Sequence, residues 1–352
     1  MSQVFKSFGS DKYEIIYPVL PEHDGLRLDQ FLMPYFATFS RETLKKKIQS
    51  GEVRILKRPF PHRPSVKVYH GEQIQVVTHN YGLEDEFWNG HKIRFDKPEI
   101  LFENKDVFVI NKPPFMATHP TGKHLFNCAT VFYEQIYGHT IHSVHRLDRE
   151  TSGCLILGKN PAATNTFTNY FENAEVRKCY LLIAHKYQDV TFPLTAEENL
   201  GQKEGFIPRT FTHAFPKDSG EGKVAKTYFE MLFENDRYYI ALAFPKTGRQ
   251  HQIRAHAYTH GFPLIGDKLY GKDPSVFMRF KDGNPTLADH QQMQIPRHGL
   301  HAISLYFPKT KLAPFYCPIS TDILNWIEAN FYLSEEDVLG KARAVIDKNF
   351  GL

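Results

Sequence analysis

The part of the chain after residue 98 alternates short apolar strands with polar turns, and this pattern limits the folds that are open to it. Two pairs of predicted strands flank the turns ENKD and ENDR: Ile100 to Glu103 with Val107 to Asn111, and Thr227 to Phe233 with Tyr238 to Phe244. A third pair flanks a helix that begins at Asn160-Pro161: Cys154 to Gly158 and Lys178 to His185. Short strands joined by tight turns indicate hairpins. We therefore predict an α+β domain around a mixed, mainly antiparallel sheet.

Length and composition indicate a globular protein with about two domains. The chain has 352 residues, of which 41% are hydrophobic and 23% charged. Its longest apolar run, Tyr238 to Phe244, is far shorter than the roughly 20 residues that cross a bilayer, and its start has no apolar stretch of signal-peptide length. We therefore expect a cytoplasmic protein without a membrane span. The four cysteines form no C-x-x-C pair, so we expect neither a disulfide framework nor a thiolate zinc site.

Basic residues are concentrated in one short segment of the N-terminal part. Between Arg41 and Lys67 the chain has nine Lys and Arg against two acids, although its overall net charge is only +4. Ser40 is expected to cap a helix from Arg41 to Ser50, with Leu44 and Ile48 facing inward and Gly51 ending it. A shorter helix is predicted before it, broken early by Pro34, from the apolar spacing of Leu28, Phe31, Leu32, Tyr35 and Phe36.

Strands are predicted after these helices, over Val53 to Leu56 and Val66 to Val77, around a proline-rich turn. Two helices and a basic hairpin suit the backbone of structured RNA, because Lys and Arg neutralise phosphates without reading bases. The alternative is a charged face that is only solvated, but the density of charge favours RNA. The predicted RNA contacts are Arg41, Lys45, Lys46, Lys47, Arg54, Lys57 and Arg58.

The segments RLDQFL, SRETLKKKIQSGEVRI and RPSVKVYHGEQIQV resemble the small RNA-binding module first known from ribosomal protein S-four, often called the alpha-L module. The resemblance covers roughly Leu26 to Val77. It implies an accessory α/β module that holds a protein on RNA without deciding what the protein does there.

Three segments of the second part have more functional residues than a structural role needs. In HSVHRLDRETSG, an acid, Asp148, has His145, Arg146 and Arg149 as sequence neighbours, and such neighbours would keep it ionised as a nucleophile or base. A surface cluster of ion pairs is the alternative for this segment alone. The other two segments are FPKTGRQHQIRAHAYTHG and RKCY, which contain Arg254 and Tyr180.

The second of these segments is predicted to form a helix that ends at Gly261, with Ile253 and Ala257 facing the core. Gln250 and Arg254 would then share another face at i, i+4, from which Arg254 could pair with a carboxylate. In RKCY, strand alternation places Tyr180 opposite Cys179 and Leu181, so its ring could point into the same cleft.

Several other chemistries do not fit the sequence. His251, His256 and His260 are not accompanied by an H-E-x-x-H motif or a carboxylate triad, so we expect no metal. Ser152 lacks the G-x-S-x-G elbow of a hydrolase nucleophile. The sequence has no Walker loop, no G-x-G-x-x-G and no P-C-x-x-C, which disfavours nucleotide-driven, nicotinamide-dependent and zinc deaminase chemistry.

Together the motifs NKPPFMATHPTG, HRLDRETSG, RKCY, TGRQHQIRAH, PLIGDKLYG and LHAISL resemble the RluA-type family of RNA pseudouridine synthases, from about Ile100 to Phe307. The resemblance implies the pseudouridine synthase fold and an isomerase without cofactor or metal. It implies that Asp148 is the catalytic aspartate, that Tyr180 is the active-site tyrosine and that Arg254 pairs with the aspartate. Arg146 corresponds to the arginine that takes the place of the flipped base.

These features predict an RNA-binding module at 1–80 with its core at 26–77, a linker at 81–98, a catalytic domain at 99–333 and a tail at 334–352. The expected partner is structured RNA, ribosomal or transfer RNA, rather than DNA, and the expected state is a monomer. Two alternatives remain open: a non-catalytic RNA-binding or assembly factor that retains the fold, and a glycosylase that uses the same carboxylate. The isomerase is favoured over the non-catalytic factor because the chain has all three residues that the reaction would need: Asp148, Tyr180 and Arg254.

Overall fold

The computed structural model describes residues 4–8, 12–35, 40–80, 84–121, 124–206, 208, 210–271 and 273–352. The chain forms two compact units. The first combines Met1–Asp85 with His119–His139, and the second combines Glu86–Thr118 with Thr140–Leu352. These boundaries differ from the predicted ones, because residues 119–139 leave the predicted catalytic domain and return to the first unit. Leu125 and Phe126 pack there against the N-terminal core, and the Glu84 carboxylate accepts the backbone N–H groups of Phe126 and Asn127 at 2.8 Å each.

The first unit contains an antiparallel sheet and short helices. Within the described residues its strands have the order β1-β2-β4-β3: β1 (Phe5–Phe8), β2 (Lys12–Pro18), β3 (Val53–Ile55) and β4 (Gln73–His79). Its helices are α1 (Leu28–Leu32), α2 (Arg41–Ser50) and α3 (Ala129–Tyr137), with 3-10 turns at Pro21–His23 and Met33–Tyr35. The apolar sides of α1 and α2 are buried against the sheet: Leu28, Phe31, Leu32, Leu44 and Ile48.

The helical predictions for this unit are confirmed where the structure describes them. The backbone N–H of Thr43 donates to the Ser40 hydroxyl, and Gly51 ends α2 in the left-handed region with φ 82°. The first helix is shorter than its apolar spacing suggested, since it becomes a 3-10 turn around Pro34; Phe36 lies outside the described residues.

The prediction of a strand from Val66 to Val77 was wrong in its first half. There Val66 accepts the N–H of Leu28, and Val68 bonds to Leu26, so these residues hold the start of α1 instead of extending the hairpin.

The second unit is built on a large mixed sheet. Within the described residues ten strands form it, in the order β12-β15-β16-β11-β17-β10-β8-β7, with β18 beside β17 and β9 beside β10. They are β7 (Glu99–Glu103), β8 (Val107–Lys112), β9 (His142–Ser143), β10 (Ser152–Gly158), β11 (Arg177–His185), β12 (Leu194–Ala196), β15 (Thr227–Glu234), β16 (Tyr238–Pro245), β17 (Leu300–Tyr306) and β18 (Phe315–Tyr316). Two hairpins lie outside this sheet: β5 (Phe87–Trp88) with β6 (His91–Lys92), and β13 (Asn199–Gly201) with β14 (His213–Phe215).

Helices of the second unit are α4 (Pro161–Glu172), α5 (Gln252–Thr259), α6 (Ser275–Lys281), α7 (Leu287–Met293), α8 (Thr321–Phe331) and α9 (Glu335–Phe350). Alternation along β11 sends Cys179 and Leu181 into a core with α8 and α9, and Leu182 into a second core with α5. The predicted tail is therefore a helix that buries Val338 and Ala342. The predicted linker contains the β5–β6 hairpin, whose Trp88 stacks on Phe280. Among the helices in the described part of the chain, none is long and apolar enough for a bilayer crossing.

The parallel pairing of β10 with β17 explains why the TSG motif has a glycine at Gly153. These two strands pair in parallel at Ser152 with His301 and at Gly153 with Ala302. A Cβ at Gly153 would lie 2.2 Å from the Ala302 carbonyl oxygen, and the residue has φ +108°. Only glycine satisfies both conditions without strain. The turn that carries Asp148 is thereby held directly against the centre of the sheet.

Candidate active site

A cleft of about 760 Å³ in the second unit brings the predicted catalytic residues together. Its walls come from the segment before β10, the start of β11, the end of α4 and the loop between β16 and α5. Asp148, Tyr180, Arg254 and Arg146 all line it. The sequence motifs HRLD, RKCY and TGRQHQIR therefore converge on one cavity, although they are far apart in the chain.

Asp148 is half-buried at the base of this cleft. Its Oδ2 lies 3.4 Å from Nη1 of Arg254 and 3.9 Å from Nε2 of His251. Burial by itself raises the pKa of Asp148, but at the acid pH where this carboxyl group titrates, the protonated His251 and Arg254 outweigh burial, and the pKa lies below its ordinary value. Burial lowers the pKa of His251 to about 4, so this imidazole is neutral at pH 7 and Arg254 supplies the permanent positive charge. The cleft thus contains an ionised carboxylate.

Of the three sequence neighbours that we predicted to keep Asp148 ionised, Arg146 is the one that lowers its pKa. The His145 ring stacks on Phe171, its Nε2 accepts the N–H of Ile156, and burial lowers its pKa to about 3. Arg149 turns away to an ion pair with Glu86 at 2.9 Å. His145 and Arg146 both line the cleft, and the Arg146 side chain is exposed and has no ion-pair partner among the described residues. The cation that contacts the carboxylate comes from a different part of the chain.

Arg254 is fixed by a second aspartate that sequence reasoning missed. Its Nε donates to Oδ2 of Asp267 at 2.6 Å and its Nη2 to Oδ1 at 2.8 Å, so the predicted pair with Asp148 is present but is the longer of the two. Asp267 also accepts the backbone N–H groups of Leu269 and Tyr270 at 3.0 Å each. Burial raises the pKa of Asp267, but the charge of Arg254 lowers it by more, so the pKa lies below its ordinary value. A search for an acid among the short motifs, here PLIGDKLYG, would have identified it.

The loop before α5 also differs from the prediction. The helix begins at Gln252, so Gln250 precedes it and does not share a helical face with Arg254, whereas Ile253 and Ala257 are buried as expected. The Gln252 side chain explains the late start. Its Oε1 accepts from Thr247 and from the N–H of Arg249, and its Nε2 donates to the Lys226 carbonyl at 2.9 Å. These bonds fold TGRQ into a turn that precedes the helix.

A buried network behind Asp148 holds the turn that carries it. Glu150 accepts from Nζ of Lys268 at 2.9 Å and lies 3.4 Å from Nδ1 of His298. Burial raises the pKa of Glu150, but Lys268 and His298 hold it well below its ordinary value. The fully buried Arg297 donates to the Glu150 carbonyl at 2.9 Å and to the Ser152 hydroxyl at 3.0 Å. The turn is therefore tied to the core on the C-terminal side of Asp148.

Tyr180 occupies the position that strand alternation predicted. Its ring lines the cleft, whereas Cys179 and Leu181 point into the opposite core. Burial, and then the negative charge of Asp148, raises the pKa of Tyr180 above its ordinary value. The phenol is therefore protonated throughout the neutral range.

In the first unit, five of the seven predicted RNA contacts are exposed: Arg41, Lys45, Lys46, Arg54 and Lys57. The other two are partly buried in local ion pairs. Lys47 bonds to Glu52 instead of pointing outward with its neighbours, and Arg58 forms a two-point bond with Glu72 at 2.6 and 2.7 Å. Lys46 is exposed but lies 3.7 Å from the Glu42 carboxylate, so the unpaired cations are fewer than the sequence count implied.

Comparisons with known proteins identify the family of the chain. A family model described as RNA pseudouridylate synthase matches residues 106–258, which include Asp148, Tyr180 and Arg254. The ribosomal large subunit pseudouridine synthase D of Haemophilus influenzae is 30% identical over 341 residues, covering 91% of this chain and 97% of that protein. The protein of the same name from Pasteurella multocida is 30% identical over 337 residues, covering 89% of this chain and 95% of its own length.

A match to a solved structure gives evidence for the fold alone. Human RNA Pseudouridylate Synthase Domain Containing 4 superposes with a TM-score of 0.52 at 23% identity, and the match covers 65% of this chain and 92% of that one. Sequence relatives over nearly the whole chain and a shared fold point the same way. The chain belongs to the RluA-type family of RNA pseudouridine synthases, isomerases that convert uridine in RNA to pseudouridine.

Proposed function

We propose that this enzyme isomerises a specific uridine of large-subunit ribosomal RNA, with Asp148 as the nucleophile. The observation that carries the proposal is an ionised carboxylate, 3.4 Å from Arg254, in one cleft with Tyr180 and Arg146. The names of the bacterial relatives support ribosomal RNA as the substrate over transfer RNA. The same substrate makes the cytoplasm the expected location.

The reaction breaks the bond from N1 to C1′, turns the uracil in place and joins C5 to C1′, after which C5 loses its proton and N1, freed from the sugar, carries one. Atoms and electrons balance within the nucleotide, so we expect neither cofactor nor metal. Asp148 would form the temporary bond, at C6 of the ring or at C1′, and Arg254 would keep it ionised and oriented. Tyr180 would stack on the detached uracil and, being protonated, would act as a hydrogen-bond donor before any later role as a base.

The uridine must leave its stack in structured RNA to reach Asp148, at a cost of a few kcal/mol. Arg146 suits the task of offsetting this cost. Its guanidinium is planar, exposed and without an ion-pair partner among the described residues, so it is free to fill the place of the base.

Mapping pseudouridines in total RNA, with and without this protein, tests the proposal. We expect one or a few positions of the large-subunit RNA to lose their pseudouridine when the protein is absent. No change at any position would favour the alternative of a non-catalytic RNA-binding factor. Release of free uracil from RNA by the purified protein would identify a glycosylase.

We also propose that the first unit holds structured RNA, with the protein acting as a monomer on RNA and not on DNA. Changing Arg41, Lys45 and Lys46 together to Gln should lower the slope of log K against log salt by about 2 to 3, since each lost phosphate contact removes about 0.7 to 0.9. Filter binding of ribosomal RNA over a range of salt measures this slope. Lys47→Gln is a single-substitution control: Lys47 is partly buried in its pair with Glu52, so its loss should change the slope by less than the 0.7 to 0.9 of one phosphate contact. An unchanged slope in the triple variant would mean that these residues form only a solvated face and do not bind RNA.

The pH profile should show no acid limb in the neutral range. Because the pKa of Asp148 lies below its ordinary value of about 3.9, the carboxylate form is present above that pH and is lost only as pH falls through the lowered value. Single-turnover tritium release from C5-labelled uridine RNA between neutral pH and pH 5 should therefore show no Asp titration. A midpoint near pH 6 would contradict an Asp148 nucleophile that Arg254 keeps ionised.

A further inference from the structure

The strand that carries Tyr180 brings a second polar side chain to the cleft. Lys178 precedes Tyr180 by two residues on β11, so both side chains point to the same face, and both line the cavity that contains Asp148. The Lys178 side chain is half-buried, and its Nζ donates to the Thr247 carbonyl at 3.2 Å. This bond uses one of three donors and brings no negative charge. The remaining donors are available to a ligand.

The half-buried Lys178 has no carboxylate within ion-pair distance among the described residues, and the same is true of Lys246, an exposed lysine that also lines the cleft. Buried or half-buried cations are normally paired, because leaving water without a counter-charge is unfavourable. Burial, and then the charge of Lys246, lowers the pKa of Lys178 to about 8. Two unpaired ammonium groups close together disfavour each other and favour an anion between them.

The charges along the cleft also favour an anionic ligand. Two acids, Asp148 and Glu172, line the cleft in its described part, against five cations: Arg146, Lys178, Lys246, Arg249 and Arg254. Asp148 already faces Arg254, and Glu172 lies exposed at the end of α4. A lysine pair suits a phosphodiester in particular, because an ammonium group binds phosphate as a compact point charge without a fixed planar geometry.

We propose that Lys178 and Lys246 form a binding site for an RNA phosphodiester next to the reacting uridine. This inference rests on the proposed function, since a uridine placed against Tyr180 brings its own backbone to the residue two positions earlier on the same strand. Lys178 is then a positioning residue. It holds the sugar-phosphate backbone while the base is detached and turned above Asp148.

Filter binding and single-turnover kinetics on unmodified large-subunit ribosomal RNA, transcribed in vitro, test the site. Lys178→Gln should reduce the slope of log K against log salt by about 0.7 to 0.9 and raise KM about tenfold, with the loss in kcat/KM coming mainly from KM. Lys178→Arg keeps the charge and should keep the slope. Lys311→Gln, an exposed lysine outside the cleft, is the control and should match the wild-type enzyme.

An RNA oligonucleotide around the mapped uridine gives the sharper measurement. Replacing one phosphodiester beside that uridine with a neutral methylphosphonate should weaken binding to the wild-type enzyme about tenfold at one of the two linkages. The same replacement should leave Lys178→Gln unaffected, because the charge that it removes no longer has a partner.

Equal sensitivity of both enzymes to the methylphosphonate, or a Lys178→Gln variant with wild-type slope, would overturn the site. A loss confined to kcat would overturn it as well and would assign Lys178 to proton transfer. The salt slope is measured without turnover. A wild-type enzyme that binds the RNA but forms no pseudouridine would refute the proposed function, while the slopes of the wild type and Lys178→Gln still decide the phosphate site.

Discussion

Asp148→Asn is expected to lower the rate of pseudouridine formation by at least about 1000-fold, because it removes the anion that we propose as the nucleophile and leaves nothing in its place. The change is nearly isosteric. Asp148 bonds to its surroundings mainly through Arg254, and Arg254 retains its stronger bonds to Asp267, so the fold should stay intact. Tritium release from C5-labelled uridine RNA measures the rate, and thermal unfolding checks the fold. RNA affinity should change little or rise, since a negative charge has left the cleft.

Glu172→Gln is the matched control for this variant. Among the described residues that line the cleft, Glu172 is the other acid, so the substitution removes the same charge from the same cavity. It lies exposed at the end of α4, away from Arg254, and its rate should stay within about threefold of the wild type. If Asp148→Asn instead retained more than about a tenth of the activity, Asp148 would not be the nucleophile.

The elements of this fold that the sequence predicts are those whose signals lie within a few neighbouring residues. The hairpins around ENKD and ENDR form, and β11 alternates between two cores as its pattern indicates, because period and turn chemistry act locally. The segment 119–139 joins the first unit against expectation. Its apolar residues suit either core, and only the tertiary contacts of Leu125 and Phe126 decide between them.

The candidate site likewise has features that the sequence predicts and features that it does not. The resemblance and the motifs gave Asp148, Tyr180, Arg254 and Arg146, and the structure places all four in one cleft. The sequence did not indicate which charged groups pair with each other in the site. His145 and Arg149 lie next to the catalytic turn but contact other groups, whereas Asp267 reaches Arg254 from another motif. Sequence neighbours on a turn point in different directions, so proximity in sequence does not predict which charges meet.

Arg254→Met is expected to lower both the rate and the stability, for two different reasons. The rate should fall about 100- to 1000-fold, because Asp148 loses the cation that keeps it ionised and oriented. Stability should fall by about 3 to 5 kcal/mol, mainly because the fully buried carboxylate of Asp267 loses its counter-charge. Arg254→Lys should restore only part of each, since an ammonium cannot bond to both Asp267 oxygens and reach Asp148. Denaturant unfolding and tritium release measure the two effects.

The double variant Arg254→Met with Asp267→Asn separates these reasons. A neutral amide needs no cation and can still accept from Leu269 and Tyr270, so most of the stability should return while the rate stays low. The pH dependence has a definite sign. In the wild type the lowered pKa of Asp267 stabilises the fold above its unfolded pKa, and that stabilisation is lost as pH falls; in Arg254→Met the deficit should therefore be largest at neutral pH and shrink in acid. If the double variant recovered the rate together with stability, Arg254 would act only as a structural residue and its effect on Asp148 would have to be abandoned.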